Sequence, residues 1–190
     1  MSRTKSLPPL EQMLYPSPCG TLVLIACGHH LCCCDWIDGL SHVRLRKRLG
    51  QPCRQVSKSA NSPFLSEAAA QLDEYFSGER HLFSLPLMAV GTDFQKDVWH
   101  ALAAIPYGTT CSYTSVAHAV GRPSAVRAVA RAIGANPLQI IVPCHRVVGS
   151  DGRLTGYAGG LERKKYLLDL EARHRLVHRD LAQLTQAPLH

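Results

Sequence analysis

The chain has 190 residues, enough for one large domain or two small ones, and 46% of them are hydrophobic, enough to build a core. Lys and Arg outnumber Asp and Glu by 21 to 14, a net charge of +7 that suits a polyanionic partner. No apolar run reaches ~18 residues, which excludes a membrane-spanning helix, and MSRTKSLPPLEQ lacks the apolar stretch of a signal peptide.

Residues 1 to about 18 are Pro-rich and read as loose. Thr21 to Ile37 reads as two strands with Gly28 at the turn. Ser41 stands where it can cap a short basic helix, HVRLRKRL, which Gly50 ends. Gln51 to Pro63 is polar and reads as a loop. Phe64 to Phe76 reads as a helix with apolar residues at 65, 68, 69, 72 and 76, closed by Gly78. HLFSLPLMAV reads as a further strand. This half is a small α/β unit in which no chemistry is legible.

Eight cysteines, at 19, 27, 32, 33, 34, 53, 111 and 144, are too irregular for a disulfide framework and suit a reducing cytoplasmic compartment. Cys27, His29, His30 and Cys32 to Cys34 are metal-ligand types, but a structural zinc site needs a second pair at a distance, and none follows. The thiols read as small apolar strand residues, and no metal is expected.

The second half is more punctuated. Thr92 and Gln95 make a capping box. The helix they open runs through Val98, Trp99, Leu102 and Ile105 and stops before Pro106. Ser112 caps a helix of about seven residues to Val120. GRP turns the chain, and Ser124 caps a second helix, AVRAVARAIGA, stopped by Asn136-Pro137. Two short helices joined by a Gly-containing turn make a helix-turn-helix pattern. Val126, Val129, Ala130 and Ile133 fall on its inner face. Ser124, Arg127, Ala128 and Arg131 fall on the outer one. That outer face lacks the Asn and Gln of a base-reading helix, and suits close approach to a duplex backbone and minor groove.

Ile140 to Val142 is a short β-branched run, which places Cys144 at the end of a buried strand. A reactive thiol needs a base, and His145 is adjacent. Neighbours on an extended chain face opposite ways, so a bridging water is the economical link. The histidine needs an orienting carboxylate, and Asp151, Glu162, Asp169 and Glu171 all remain candidates by spacing.

The ordered set GTDFQKDVW, IPYG, SY, GRP, AVRAVARAIGANP, IVPCHRVVGSDG, GYAGG and RKKYLLDLE, from Gly91 to about Glu171, resembles the O6-alkylguanine-DNA alkyltransferases. The resemblance implies a ribonuclease-H-like α/β lobe over residues 1–88, a mostly helical C-terminal domain with a helix-turn-helix over 89–175, and a tail over 176–190. It implies direct-reversal DNA repair, with the alkyl group of O6-alkylguanine, and of O4-alkylthymine, moving once and irreversibly to Cys144 after nucleotide flipping. It assigns the water-bridged base to His145, its orienter to Glu171 and a hinge to Asn136. Leu170 and Ala172 stand beside Glu171 where relatives often carry His and Gly.

Tyr113 would donate to guanine N3, and Arg127 would enter the base stack. The carbonyls of Cys144 and Val147 would accept from the guanine amino group. The Ala158 N–H would face the guanine oxygen, and Tyr157 would wall the pocket. Ser124, Ala128, Arg131, Arg122, Thr114 and Ser150 complete the DNA-facing set. No cofactor is implied. The partner is double-stranded DNA, met in its minor groove by a monomer, with cooperative binding left open. The alternatives are a non-catalytic alkylated-DNA-binding protein, against which the presence of Cys144 speaks, a cysteine hydrolase, and a redox or zinc regulator.

Overall fold

The computed structural model describes residues 8–49, 56–58 and 62–184. Strands β1 (Leu10–Ser17), β2 (Gly20–Cys27) and β3 (His30–Trp36) form an antiparallel meander, and β4 (Val56–Lys58) pairs in parallel with β1. Gly28 makes the turn into β3 at a φ of +59°, left-handed backbone that costs glycine nothing. Cys27 and Cys32 to Cys34 are buried within β2 and β3, as strand residues of an apolar sheet.

Two expected loops are strands. In β1 only Leu10 and Tyr15 are buried, so no two-residue alternation announces it. Its Pro16 is tolerated because β4 reaches only Leu10 to Gln12, leaving β1 with an open edge further on. β4 lies in the segment expected to be a polar loop. Conversely, HLFSLPLMAV forms a single bridge, Leu31 to Leu87. The Leu31 N–H donates to Pro86 O at 2.8 Å and Met88 N–H to Leu31 O at 2.9 Å. Pro86 has no N–H with which to lengthen the ladder.

Helix α1 (Ser41–Leu49) begins at Ser41, which does not cap it: its N–H donates to Asp35 Oδ2 at 2.8 Å and its Oγ donates to Asn136 O at 3.4 Å. The expected stop at Gly50 lies outside the described residues. Helix α2 (Pro63–Ser77) has a Ser62 cap, proline in its first turn and Gly78 at a φ of +84° as its stop. It buries Leu65, Ala68, Leu72 and Tyr75.

Helix α3 (Asp93–Ala103) opens on the expected capping box and buries Val98, Trp99 and Leu102. Strand β5 (Cys111–Ser112) leads into α4 (Tyr113–Ala119), where the Ser112 hydroxyl accepts from the Ser115 N–H at 3.0 Å. Helix α5 (Val126–Gly134) packs on α4 and α3, and the Trp99 indole donates to Ala132 O at 2.8 Å. Ser124 does not cap α5. The Ala125 N–H closes a turn on Arg122 O, which delays the helix by one residue. Strand β6 (Val147–Val148) pairs in parallel with β5. Helix α6 (Leu161–Leu184) continues well past residue 175, where a tail was expected.

The two halves share one core, which runs from Tyr15 and Trp36 through Trp99 and Ile133 to Leu170. A polar seam joins them too. Cys34 N–H donates to Pro137 O at 2.8 Å, and Gln139 N–H returns to Cys34 O at 2.7 Å. The Gln139 side chain, fully buried, donates to Asp35 Oδ1 and accepts from the Trp36 indole at 3.0 Å. Asp35→Ala leaves the Ser41 N–H and the Gln139 amide unpaired in the interior, so it should cost about 3 kcal/mol. Urea unfolding checks this, and a loss below about 1 kcal/mol would mean the seam is not structural.

Candidate active site

The site grows from the chain that leaves α5. Residues 138–143 turn rather than extend, which corrects the expected strand. The Val142 N–H donates to Leu138 O at 2.7 Å, and Ile140 sits at a φ of +71°. A β-branched residue there costs about 1–3 kcal/mol, sustained by its surroundings. The seam to β3 and the buried Ile140 side chain supply them. Apolar, β-branched sequence cannot separate such a buried turn from a strand.

Cys144 opens a 3-10 helix, Cys144–Arg146. With three residues per turn, successive side chains splay about a third of a circle apart. Cys144 therefore lines a cavity while His145 and Arg146 reach α6. Asn136 fixes the arrangement. Its Nδ2 donates to Val142 O at 2.8 Å and to Cys144 Sγ at 3.2 Å, and its Oδ1 accepts from the Leu138 N–H at 3.0 Å.

Cys144 is 3% exposed. Burial pushes its thiol up to about 11, against the pull of Asn136 and of the Lys164 cation. His145 is fully buried, and burial holds its imidazole below the usual range despite Glu171. Its Nε2 lies 2.8 Å from Glu171 Oε1, while Nδ1 has no partner among the described residues. The neutral ring with its proton on Nε2, donating to the carboxylate, leaves Nδ1 as a basic acceptor.

Glu171 collects donors from three segments. Besides His145, it accepts from Arg146 Nε at 3.0 Å, the Gly108 N–H at 2.9 Å and the Tyr75 hydroxyl at 2.8 Å. Burial alone would raise its carboxyl, but the hydrogen bonds from His145 and Arg146 and the Arg146 cation hold it at about 2. Because His145 is neutral, the permanent charge opposite Glu171 is the guanidinium of Arg146. The rival acids are exposed: Asp151 pairs with Arg153, Asp169 with Lys165, and Glu162 lies on the surface.

The cavity holds about 500 Å³ and is walled by Tyr113, Ala130, Gly134, Tyr157 and Ala158, with Cys144 among them. The Tyr113 hydroxyl is 3.0 Å from the carbonyls of both Thr155 and Gly156. The Tyr157 hydroxyl accepts from the Trp36 indole at 3.4 Å. Gly159 lies against Trp36 so closely that a Cβ would overlap the indole nitrogen. Val147 is buried, and its carbonyl accepts from Lys164 Nζ. Arg122, Ser124, Arg127, Ala128, Arg131 and Thr114 are exposed on the helix-turn-helix, and Ser150 is exposed after β6.

Three contributors escaped the sequence reading: Arg146, Tyr75 and Lys164. Lys164 is fully buried and also donates to Thr155 O and Gly156 O, and burial brings its ammonium down to about 8. Its signal was present. Lys164, Leu167 and Glu171 follow one face of α6 at helical spacing, so two charged residues occupy core positions.

The Glu171 carboxyl moves from an ordinary 4.5 to about 2 on folding. A depressed folded value gives stabilisation that is complete above pH 4.5 and lost as the pH falls toward 2, on the order of 3 kcal/mol in all. Denaturant titrations across that window should show Glu171→Gln losing stability less steeply than the wild type. Equal acid slopes would remove Glu171 from this role.

The description "6-O-methylguanine DNA methyltransferase, ribonuclease-like domain" matches residues 12–89, and "6-O-methylguanine DNA methyltransferase, DNA binding domain" matches residues 93–173. The methylated-DNA–protein-cysteine methyltransferase of Methanosarcina barkeri is 47% identical over 155 residues, 82% of this chain and 92% of the relative. That of Mycobacterium leprae is 44% identical over 169 residues, 89% of this chain and 93% of the relative. The crystal structure of Mycobacterium tuberculosis OGT in complex with DNA superposes with a TM-score of 0.77 at 42% identity, covering 86% of this chain and 94% of that one. With both domain descriptions matched in order along it, the chain belongs to the 6-O-methylguanine DNA methyltransferase family.

Proposed function

We propose that this protein repairs alkylated DNA by direct reversal, moving the alkyl group from the O6 oxygen of guanine to Cys144. The observation that carries the reading is a single buried thiol on the wall of a cavity of about 500 Å³, large enough to admit a nucleobase, tied to Asn136 and followed by a His–Glu–Arg array. The names of the relatives agree with it. The same reading extends to O4-alkylthymine.

A thiol with a pKa of about 11 is ionised in only about one molecule in ten thousand at pH 7. Proton removal therefore accompanies attack. A water carries the Cys144 proton to His145 Nδ1, and Glu171 stabilises the imidazolium that forms. Sγ forms a bond to the alkyl carbon as the carbon–O6 bond breaks, and the electron pair stays on the guanine. Tyr113 protonates or hydrogen-bonds guanine N3, which makes the base a better leaving group. The guanine amino group donates to the carbonyls of Cys144 and Val147. Lys164 occupies one side of the Val147 oxygen, which has a second lone pair to offer. The Ala158 N–H faces O6, and Tyr157 walls the base. The product is a thioether that nothing resets, so each molecule acts once.

The cavity is too recessed for a stacked base, so the nucleotide leaves the duplex, at a cost of a few kcal/mol. Arg127 fills the place it vacates. Ser124, Ala128, Arg131, Arg122, Thr114 and Ser150 contact the minor groove and its backbone. In this reading residues 89–175 carry the chemistry and residues 1–88 brace it. The protein works as a monomer in the cytoplasm, without a cofactor.

Incubation with a duplex containing O6-methylguanine should add one methyl group to the intact mass, mapped to Cys144, and Cys144→Ser should gain none. A methyl on another cysteine, or no gain by the folded and reduced protein, would overturn the reading. Arg127→Ala should slow transfer from the duplex about tenfold and change transfer from free O6-benzylguanine less than about twofold, since only the duplex needs a stack-filling side chain. Equal slowing of the two would remove Arg127 from that role.

A further inference from the structure

Helix α1 has no part in the proposed transfer, yet it is strongly basic. SHVRLRKRL contains Arg44, Arg46, Lys47 and Arg48 and no acidic residue. Leu45 anchors the helix, 2% exposed against the outer face of the sheet with Ile25 and Cys33. Arg44, Lys47 and Arg48 stay exposed. Some surface cations elsewhere are neutralised, as Arg163 is by Asp38 at 2.8 Å. Among the described residues no carboxylate forms an ion pair with Arg44 or Lys47.

The placement of α1 is specific. Ser41 Oγ donates to Asn136 O, just beyond α5. Arg48 Nη1 donates to Val90 O at 2.9 Å and to Gln95 Oε1 at 3.3 Å, at the start of α3. A groove of about 170 Å³ separates Arg44 and Arg48 from Ala135 and Pro137. Gly134 is exposed and lines the cavity of Cys144, and the next residue lines this groove. The arginine face of α5 therefore continues through the helix end into the cations of α1. Nine helical residues extend this surface by about 13 Å.

We propose that α1 is a second DNA-binding element, with Arg44 and Lys47 contacting backbone phosphates that flank the lesion, beyond the C-terminal end of α5. The inference rests on the DNA-repair reading above. A helix that offers cations and no base-reading face positions a duplex without selecting its sequence. Arg44 can engage a phosphate bidentately, and Lys47 acts as a point charge. Arg48 is partly committed to Val90 and Gln95, so its main task is to fix the helix.

The test uses the full chain and the double variant Arg44→Glu/Lys47→Glu, with an undamaged duplex extending a helical turn beyond the lesion position on each side. The affinity is measured against NaCl concentration. Each phosphate contact contributes about 0.9 to the salt slope, so the variant's slope should fall by about two, and its affinity at low salt about tenfold or more. Transfer from free O6-benzylguanine, which needs no backbone contact, should stay within about twofold of the wild type. An unchanged slope and affinity overturns the inference. If free-base transfer also collapses, the charge reversal has damaged the fold, and Arg44→Gln/Lys47→Gln decides by the same slope. Failure of the wild type to methylate Cys144 from any damaged duplex sinks the repair reading. A reactive wild type with an indifferent variant sinks only the role of α1.

Discussion

The buried carboxylate of Glu171 holds the site together. It receives Tyr75 from α2, the backbone of Gly108 from the turn after α3, and His145 and Arg146 from the 3-10 helix. Three segments far apart in sequence thus converge on two oxygen atoms. An unpaired charge at such depth would be prohibitively costly, and the Arg146 guanidinium and the neutral donors together compensate it. The N-terminal lobe enters through Tyr75, so this half of the chain helps hold the carboxylate that meets His145.

The loop before Cys144 is braced from the other side. Asn136 spans from Leu138 to Sγ, and Asp35, Trp36 and Gln139 form a chain of hydrogen bonds that reaches the cavity wall at Tyr157. Ile140, in left-handed backbone, is kept there by this bracing. Lys164 draws the carbonyls of Val147, Thr155 and Gly156 toward one point, so the segment that follows Cys144 and one wall of the cavity share an anchor. A positive charge sits close enough to Cys144 to favour its thiolate form.

Much of the fold was legible in the residues. The Thr92–Gln95 box, the Ser112 cap, the Gly78 stop and the apolar spacing of α2 and α3 act locally, and local signals survive tertiary context. The failures lay where distant partners decide. β1 is a strand because β2 pairs along its whole length, and β4 because it pairs with β1, whereas their own sequences show proline or polarity. Ser41 looked like a cap and became a tie between lobes. Of the site, Cys144 and His145 were visible from adjacency. Glu171 was one of four acids that only the resemblance separated, and the fold leaves it the one that is buried. Arg146, Lys164 and Tyr75 were missed because a charged or hydroxylated side chain reads as surface until a buried partner is seen.

A group that can be used only once must not be squandered. With Cys144 3% exposed and its proton held to about 11, wandering oxidants and soluble electrophiles meet a thiol, not the far more reactive thiolate. The depth that makes the sulfur sluggish thus preserves it through a long idle life, until the right base is placed against it.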